Sequence, residues 1–333
     1  MPDFLSVLLK IVSMFLVMAL GWIARRRGYV TDETSRSLSR LLVDMVFPAL
    51  VFTQMLRTVN PAVLRAGWFL PLLGILLIVI AGIVGLLMMP LSRDKAKIGT
   101  AIFLVAIPNW VYLPLPIVEG LFGDAGVRDV LLYNVGSQLA LWTLGVWMLQ
   151  NARFDGQSLK NLVFNPGLIA TAAGIIIALA CPPARHLEAL PAGNNSAIML
   201  AASAVIQALV MLGSLTIPLS LLVTGIQLGS LNLLMDHRPS REFTGILFLR
   251  LLIAPAVTIA IFWLAGRAGL TLGEVPRMTG YLIACMPVAI SCSILTERFG
   301  GDTLLAARSI FYSTLWSIIT VPAWYYIIRL WGL

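Results

Sequence analysis

Long apolar segments alternate with short polar segments along nearly the whole chain. Each apolar segment is about as long as a helix must be to cross the hydrocarbon layer of a bilayer, which is about 30 Å thick. The polar segments between them carry most of the charged residues. The pattern predicts an all-α polytopic membrane protein with spans at 5–23, 37–56, 67–90, 97–119, 127–150, 162–181, 203–229, 243–265, 278–297 and 306–330.

The composition supports the same fold class. Of the 333 residues, 59% are hydrophobic and only 11% are charged, and the mean hydropathy is +0.93. A soluble protein has about a quarter of its residues charged. We therefore expect the chain to lie in the membrane without a soluble domain of any size.

The positive charges indicate how the chain is oriented in the membrane. The net charge is +8, and lysine and arginine are about twice as frequent in the loops on one side, which marks that side as cytoplasmic. The cluster Arg25–Arg27 follows the first apolar segment, so this segment is predicted to be a span and not a signal peptide. We therefore place both termini on the external side of the inner (cytoplasmic) membrane. We predict no nucleic-acid partner.

Residues typical of enzymes and metal sites are scarce. The cysteines are Cys181, Cys285 and Cys292, and the histidines, His186 and His237, fall in predicted loops. The cysteines are odd in number and lack metal-ligand spacing. We predict no disulfide, no metal, no cofactor and no catalytic cluster.

The two halves of the chain share features in the same order. The fourth span ends in PIVEGLFGDAG and the ninth in SILTERFGGDT, and Pro48 in span two has a counterpart at Pro218 in span seven. Five spans per half is an odd number, so the second half would run through the membrane in the opposite direction. This predicts inverted repeats at 1–155 and 156–333.

Prolines interrupt the fourth and ninth spans. A proline inside a helix costs about 3 kcal/mol, and non-helical backbone at membrane depth is tolerated only where it is buried in protein or lines a cavity. Interrupted segments at matching positions of two halves are typical of the binding site of an inverted-repeat secondary transporter. The predicted interruptions are at Pro108, Pro114, Pro116 and Pro287.

At these residues the sequence resembles the auxin efflux carrier family, which includes the plant PIN proteins and bacterial carriers of malonate and malate. The similarity extends over nearly the whole chain, with Pro114 standing where the family usually has glycine. The ninth span, MPVAISCSILTERFG, is similar to bacterial members. The other matching motifs are Pro108-Asn109, Pro116 and Phe122-Gly123 in span four, Gln138 ahead of Trp142-Thr143 in span five, and Asn165-Pro166.

The resemblance implies a fold and a mode of action. It implies ten helices in two inverted five-helix repeats, with helices four and nine crossing near the membrane midplane. Spans 1, 2, 6 and 7 would form a scaffold, and spans 3–5 and 8–10 a transport bundle that moves as an elevator. It also implies a homodimer and a substrate among small organic anions, such as mono- or dicarboxylates or auxin-like aromatic acids.

Neutral polar residues near the interruptions are the candidate substrate ligands. The N-terminal end of a half-helix offers free N–H groups and about half an elementary charge to an anion, and neutral donors would complete the site. For each of these residues the alternative is a hydrogen bond between helices. The candidates are Asn109, Tyr112, Asn134, Ser137 and Gln138, with Ser291 and Ser293 from span nine.

Two charged residues and one glycine motif have open assignments. Arg250, inside span eight, either reaches the cytoplasmic face or a structural partner, or contacts the anion. Asp44 either pairs with Arg40 four residues earlier or takes part in ion coupling. Gly225 and Gly229 form a Gly-x-x-x-Gly motif, which predicts helix packing that could support a dimer.

Coupling and competing functions remain open at this stage. One charge crossing 100 mV is worth about 2.3 kcal/mol, so a monoanion leaves a negative-inside cell without a coupling ion, whereas import needs protons or sodium. The first alternative is a sodium- or proton-coupled carboxylate symporter of the bile-acid type with the same architecture, which sodium dependence would distinguish. A membrane-embedded enzyme is a remote alternative, and a channel lacks a filter motif.

Overall fold

A computed structural model describes residues 4–91, 94–149, 164–189, 197–230, 240–270 and 272–332. The described residues form helices and turns, and the only β-structure among them is one isolated bridge. The first helices are α1 (Phe4–Arg26), α2 (Asp32–Leu41), α3 (Phe47–Thr58), α4 (Pro61–Gly67), α5 (Leu70–Gly85), α6 (Lys95–Ala106), α7 (Pro114–Ala140) and α8 (Val146–Leu149). The later helices are α9 (Pro166–Ala180), α10 (Ala197–Ser214), α11 (Thr216–Ser230), α12 (Arg241–Phe248), α13 (Ala254–Arg267), α14 (Glu274–Ala284), α15 (Ser291–Arg298) and α16 (Thr303–Leu330).

Several helical stretches are long and apolar enough to cross a membrane, which agrees with the prediction of a polytopic membrane protein. Two shorter apolar helices, Lys97–Ala106 and Pro166–Ala180, accompany them. Within the described residues, the stretches of full length are Asp32–Thr58, Pro61–Leu91, Ala197–Ser230, Arg241–Arg267 and Thr303–Leu330.

Two of the predicted spans are divided and therefore contain no full-length helical stretch. In the predicted spans 97–119 and 278–297, non-helical residues separate one helical segment from the next. Within α7, the non-helical backbone at Gly123 (φ 57°, ψ −145°) forms a sharp kink between the end of the predicted fourth span and the fifth. The predicted boundary between the repeats, at residue 155, lies outside the described residues.

Side chains at helix starts explain where several helices begin. The Asn60, Asn165 and Asp302 side chains each accept a hydrogen bond from a backbone N–H three residues later, which satisfies one of the donors left free at a helix N-terminus. Pro61 and Pro166 occupy the first helical position, where a missing N–H has little cost.

Three π-helical turns interrupt the regular helices in the part of the chain that the structure describes, at Leu42–Val46, Leu141–Gly145 and Leu249–Ile253. Such turns insert an extra residue into the helix and are frequent at functional sites. Asp44 lies in the first and Arg250 in the third. The two charged residues with open assignments therefore lie where the helix geometry is irregular.

The Gly225 and Gly229 motif packs within the chain. A Cβ atom on Gly225 would lie 1.9 Å from the carbonyl oxygen of Met18, and one on Gly229 would lie 2.9 Å from the Cβ of Arg25. The glycines thus allow α1 and α11 to approach at backbone distance. The surface that the motif predicted for pairing with a second copy is covered by α1 of the same chain.

Among the described helices, the densest contacts form three sets. These sets are α1 with α11, α3 with α9 and α10, and α5 with α6 and α7, to which α14 is joined through α7. Contacts between the sets, such as those of α3 and α1 with α7 and of α10 with α11, are sparser.

Candidate functional site

Two interrupted helices meet at their interruptions. Residues 107–113 separate α6 from α7, and residues 285–290 separate α14 from α15. At this point Pro108 and Val288 form an antiparallel β-bridge. Within the described residues it is the one place where the chain forms such a bridge.

Two backbone hydrogen bonds hold the crossing together. The Asn109 N–H donates to the carbonyl of Pro287 at 2.8 Å, and the Ala289 N–H donates to the carbonyl of Ile107 at 3.2 Å. Proline has no N–H to donate, yet the carbonyl of Pro287 still serves as an acceptor. Each interruption therefore provides hydrogen-bond partners for backbone groups of the other, and backbone groups in a membrane interior need such partners.

The predicted prolines have two different positions at the crossing. Pro108 and Pro287 lie in the non-helical residues, whereas Pro114 and Pro116 lie in the first turn of α7, and all four are buried. A proline in a first turn removes an N–H that has no partner in the helix. The prolines therefore stop α6 and α14 and permit α7 to restart.

The crossing brings helix ends of both polarities together. The C-terminal ends of α6 and α14 carry negative partial charge, and the N-terminal ends of α7 and α15 carry positive partial charge, about half an elementary charge each. A site beside the N-terminal ends favours an anion, and one beside the C-terminal ends favours a cation.

Arg250 occupies the negative side. Its side chain is 1% exposed, and three of its nitrogens donate to backbone carbonyls. Nη1 donates to Val105 at 2.9 Å, Nε donates to Met286 at 3.1 Å, and Nη2 donates to Ala284. Arg250 thus binds the ends of both interrupted helices and does not extend to the membrane surface.

Asn109 and Tyr112 lie on the side where α7 begins. Asn109 is 7% exposed, and its Oδ1 accepts a hydrogen bond from the Tyr112 N–H at 3.1 Å, which stabilises the turn. The Tyr112 ring packs edge-on against Phe47, with ring centroids 5.8 Å apart. With its oxygen in use, Asn109 retains an amide Nδ2 group as a donor.

The predicted pair on span five has two different environments. Asn134 is buried, and its Oδ1 accepts a hydrogen bond from Trp110 Nε1 at 2.9 Å. Gln138, one helical turn later, is half-buried. Asn134 therefore holds the interruption against α7, while the amide of Gln138 is the more accessible of the two.

Ser137 on α7 is also buried, whereas the other predicted residues are less enclosed. Ser291 is exposed at the start of α15, and Ser293 is half-buried with its hydroxyl donating to the carbonyl of Ile290 at 2.9 Å. Asp44 is exposed, and within the described part of the chain no ion pair joins it to Arg40. Asn109 and Asn134 are thus buried, Tyr112 and Ser293 are half-buried, and Ser291 and Asp44 are exposed.

Sequence reasoning missed two residues of this region and one buried carboxylate elsewhere on α7. Trp110 connects the interruption to Asn134, and Ser313 on α16 accepts a hydrogen bond from the Val288 N–H at 3.2 Å. Asp129 on α7 is 1% exposed and pairs with Arg128 through Oδ1 at 2.9 Å. A carboxylate inside an apolar run is a signal of a functional residue, whereas tryptophan and serine are too common in spans to stand out.

Replacing Trp110 by phenylalanine is expected to destabilise the protein by about 1–3 kcal/mol, because the buried Oδ1 of Asn134 would lose its donor. The measurement is the thermal unfolding midpoint of purified protein in detergent. Trp316→Phe is the matched control, since Trp316 is 51% exposed on α16. Equal midpoints for the two variants would show that the Trp110–Asn134 hydrogen bond does not contribute to stability.

The described residues contain no group of three or more histidine, cysteine, aspartate or glutamate side chains that could hold a metal ion. The groups at the crossing are helix ends, amides, hydroxyls, one guanidinium and the buried thiols of Cys285 and Cys292. This set can bind an ion by hydrogen bonds and by charge.

Known proteins resemble the chain over nearly its full length. A family model described as a membrane transport protein matches residues 6–161 and 152–325. An uncharacterized transporter of Methanothermobacter thermautotrophicus is 25% identical over 319 residues, which cover 94% of this chain and 96% of that protein. An uncharacterized transporter of Methanocaldococcus jannaschii is 23% identical over 329 residues, which cover 96% and 98%, respectively. The chain therefore belongs to the membrane transport protein family of auxin efflux carriers.

Proposed function

We propose that this chain is a secondary transporter that carries small organic anions, mono- or dicarboxylates or auxin-like aromatic acids, across the cytoplasmic membrane. The observation that carries the proposal is the Pro108–Val288 bridge, where two interrupted helices cross. Discontinuous helices whose N-terminal ends point at an anionic group form the substrate site in many secondary transporters. The substrate therefore binds beside the starts of α7 and α15.

The side chains around this position suit a carboxylate. Asn109 supplies an amide donor from a buried turn, and Gln138 supplies a second from a half-buried position on α7. Tyr112 and Ser291 add hydroxyl groups near the two helix starts. Neutral donors next to positive helix ends bind an anion without the desolvation cost of a buried ion pair.

Features of the two halves support an inverted repeat. The α6–α7 interruption has its counterpart in the α14–α15 interruption. A glycine with positive φ follows each broken helix, Gly123 at 57° and Gly300 at 75°, and an aspartate follows shortly afterwards, at Asp124 and Asp302. We assign 1–155 and 156–333 as the repeats, with both termini outside.

The dense packing of α5, α6, α7 and α14 supports an elevator mechanism. In this proposal α1, α3, α9, α10 and α11 form the fixed scaffold. The group around α5, α6, α7 and α14 carries the crossing, and moves as one body because its internal packing is denser than its contacts with the scaffold. A homodimer formed through the scaffold would anchor it, by surfaces other than Gly225 and Gly229.

Electrical recording from liposomes that contain the purified protein tests this function. Concentration jumps of malonate, malate and indole acetate are applied on a solid-supported membrane, with protein-free liposomes as the control. We expect a saturable current for at least one acid, because an uncompensated anion carries charge across the membrane. Neither a current nor a ligand-induced rise in unfolding temperature for any of the acids would contradict the proposal.

A further inference from the structure

Backbone carbonyls supply the negative charge that balances the Arg250 guanidinium. Its carbonyl partners are Val105 at the end of α6, Ala284 at the end of α14, and Met286 in the residues between α14 and α15. The last carbonyls of a helix have no partner within it. Each end carries about −0.5 elementary charge, so the two ends together balance one guanidinium. Within the described residues no carboxylate pairs with Arg250.

Such an arrangement normally accepts a free cation. In transporters built from discontinuous helices, unwound carbonyls and half-helix C-terminal ends coordinate the coupling ion, often sodium. Here the carbonyls of Val105, Ala284 and Met286 are already occupied by Arg250. The side chain is also fixed by burial, since it is 1% exposed.

We propose that the Arg250 guanidinium is a tethered cation that holds the crossing together in place of a coupling sodium ion. The carrier therefore moves its anion without sodium. This inference rests on the proposed function, and it decides between an uncoupled carrier and the sodium-coupled alternative. Because the guanidinium is covalently attached and never exchanged, no sodium ion contributes to the charge moved in each cycle.

The choice of arginine has a geometric reason. A guanidinium presents five N–H donors in a planar fork, whereas a lysine ammonium is a compact point charge. Only the fork can reach Val105 on one helix and Ala284 and Met286 on the other at the same time. A lysine at this position would keep the charge but lose part of the bridge between the two interrupted helices.

The test compares wild type, Arg250→Ala and Arg250→Lys in liposomes, with sodium or with N-methylglucamine as the cation. Wild-type currents are expected to be equal in the two media. The current of Arg250→Ala is expected to be at least about tenfold lower than that of wild type. It is expected to recover in part when guanidinium or sodium ions bind to the carbonyls that Arg250 no longer occupies. Arg250→Lys is expected to keep a reduced current that is independent of sodium.

Arg267→Ala is the matched control, because the Arg267 guanidinium lies over the Trp263 ring, 5.4 Å from its centroid, at the end of α13 and away from the crossing. Its current is expected to remain at the wild-type level in both media.

A second readout does not depend on transport. Millimolar guanidinium is expected to raise the unfolding temperature of Arg250→Ala in detergent but not that of wild type.

A wild-type current that requires sodium would overturn the inference while leaving the proposed function intact. The inference would also be overturned if Arg250→Ala folds but guanidinium changes neither its current nor its unfolding temperature. If Arg250→Ala does not fold, sodium dependence in wild type or in Arg250→Lys overturns the inference, and sodium independence in both supports it. No wild-type current with any acid would count against the proposed function, and the guanidinium effect on stability would still test the tethered cation.

Discussion

Asn109→Asp is expected to reduce organic-anion transport at least about tenfold, with little effect on folding. Aspartate has nearly the shape of asparagine, and its carboxylate still accepts the hydrogen bond from the Tyr112 N–H that forms the turn. The change replaces an amide donor by a negative charge at the proposed anion site. Two like charges 4 Å apart repel by about 1 kcal/mol in water and by about 4 kcal/mol near a protein surface.

The measurement is the initial rate of anion uptake or the peak current in liposomes, together with the unfolding temperature in detergent. Asn60→Asp is a closely matched control, because the Asn60 Oδ1 also accepts a hydrogen bond from a backbone N–H three residues later, at the start of α4. It is expected to leave transport unchanged. Wild-type transport by a folded Asn109→Asp protein would place the anion elsewhere.

Gly136→Ala is expected to destabilise the protein by about 3 kcal/mol or more, because it forces apart two helices at their closest contact. A Cβ atom on Gly136 would lie 1.6 Å from the carbonyl oxygen of Pro71 on α5. A backbone carbonyl inside a helix cannot rotate away as a flexible side chain can. The neighbouring contact is also close, since a Cβ on Gly74 would lie 2.3 Å from the carbonyl oxygen of Tyr133.

The unfolding temperature in detergent measures this effect, and Gly266→Ala serves as the control. Gly266 lies in α13, and a Cβ there would have no heavy atom within 4 Å. At that position alanine should be neutral or slightly stabilising, because it favours the helix over glycine. Similar unfolding temperatures for Gly136→Ala and wild type would mean that α5 and α7 are farther apart than described here.

Much of the fold could be predicted from the sequence. Apolar segment length predicted a polytopic helical membrane protein, and the motifs around Pro108-Asn109 and Asn165-Pro166 predicted the family, which the family match confirms. The interruptions near Pro108 and Pro287 could be predicted because proline acts locally on its own helix. The sharp kink at Gly123 also lies where the sequence places the end of the fourth span.

The candidate site could be predicted only as a set of residues near the interruptions. Asn109 and Asn134 were both chosen for their polar side chains in apolar surroundings. Nothing in their spacing indicated that Trp110 would donate to Asn134, because that hydrogen bond depends on how α7 folds back against the interruption. The Gly225 motif likewise predicted a close helix contact but not that α1 would supply it.

The sequence by itself determined the membrane fold, the family and the two places where the helices stop, since these follow from local hydropathy, motifs and proline chemistry. Only the tertiary structure decided what Arg250 does. Its depth in span eight could be read from a rise of about 1.5 Å per residue, but its partners lie 145, 36 and 34 residues away. Contacts over such separations arise when helices pack, and packing set one buried charge against the ends of two interrupted helices.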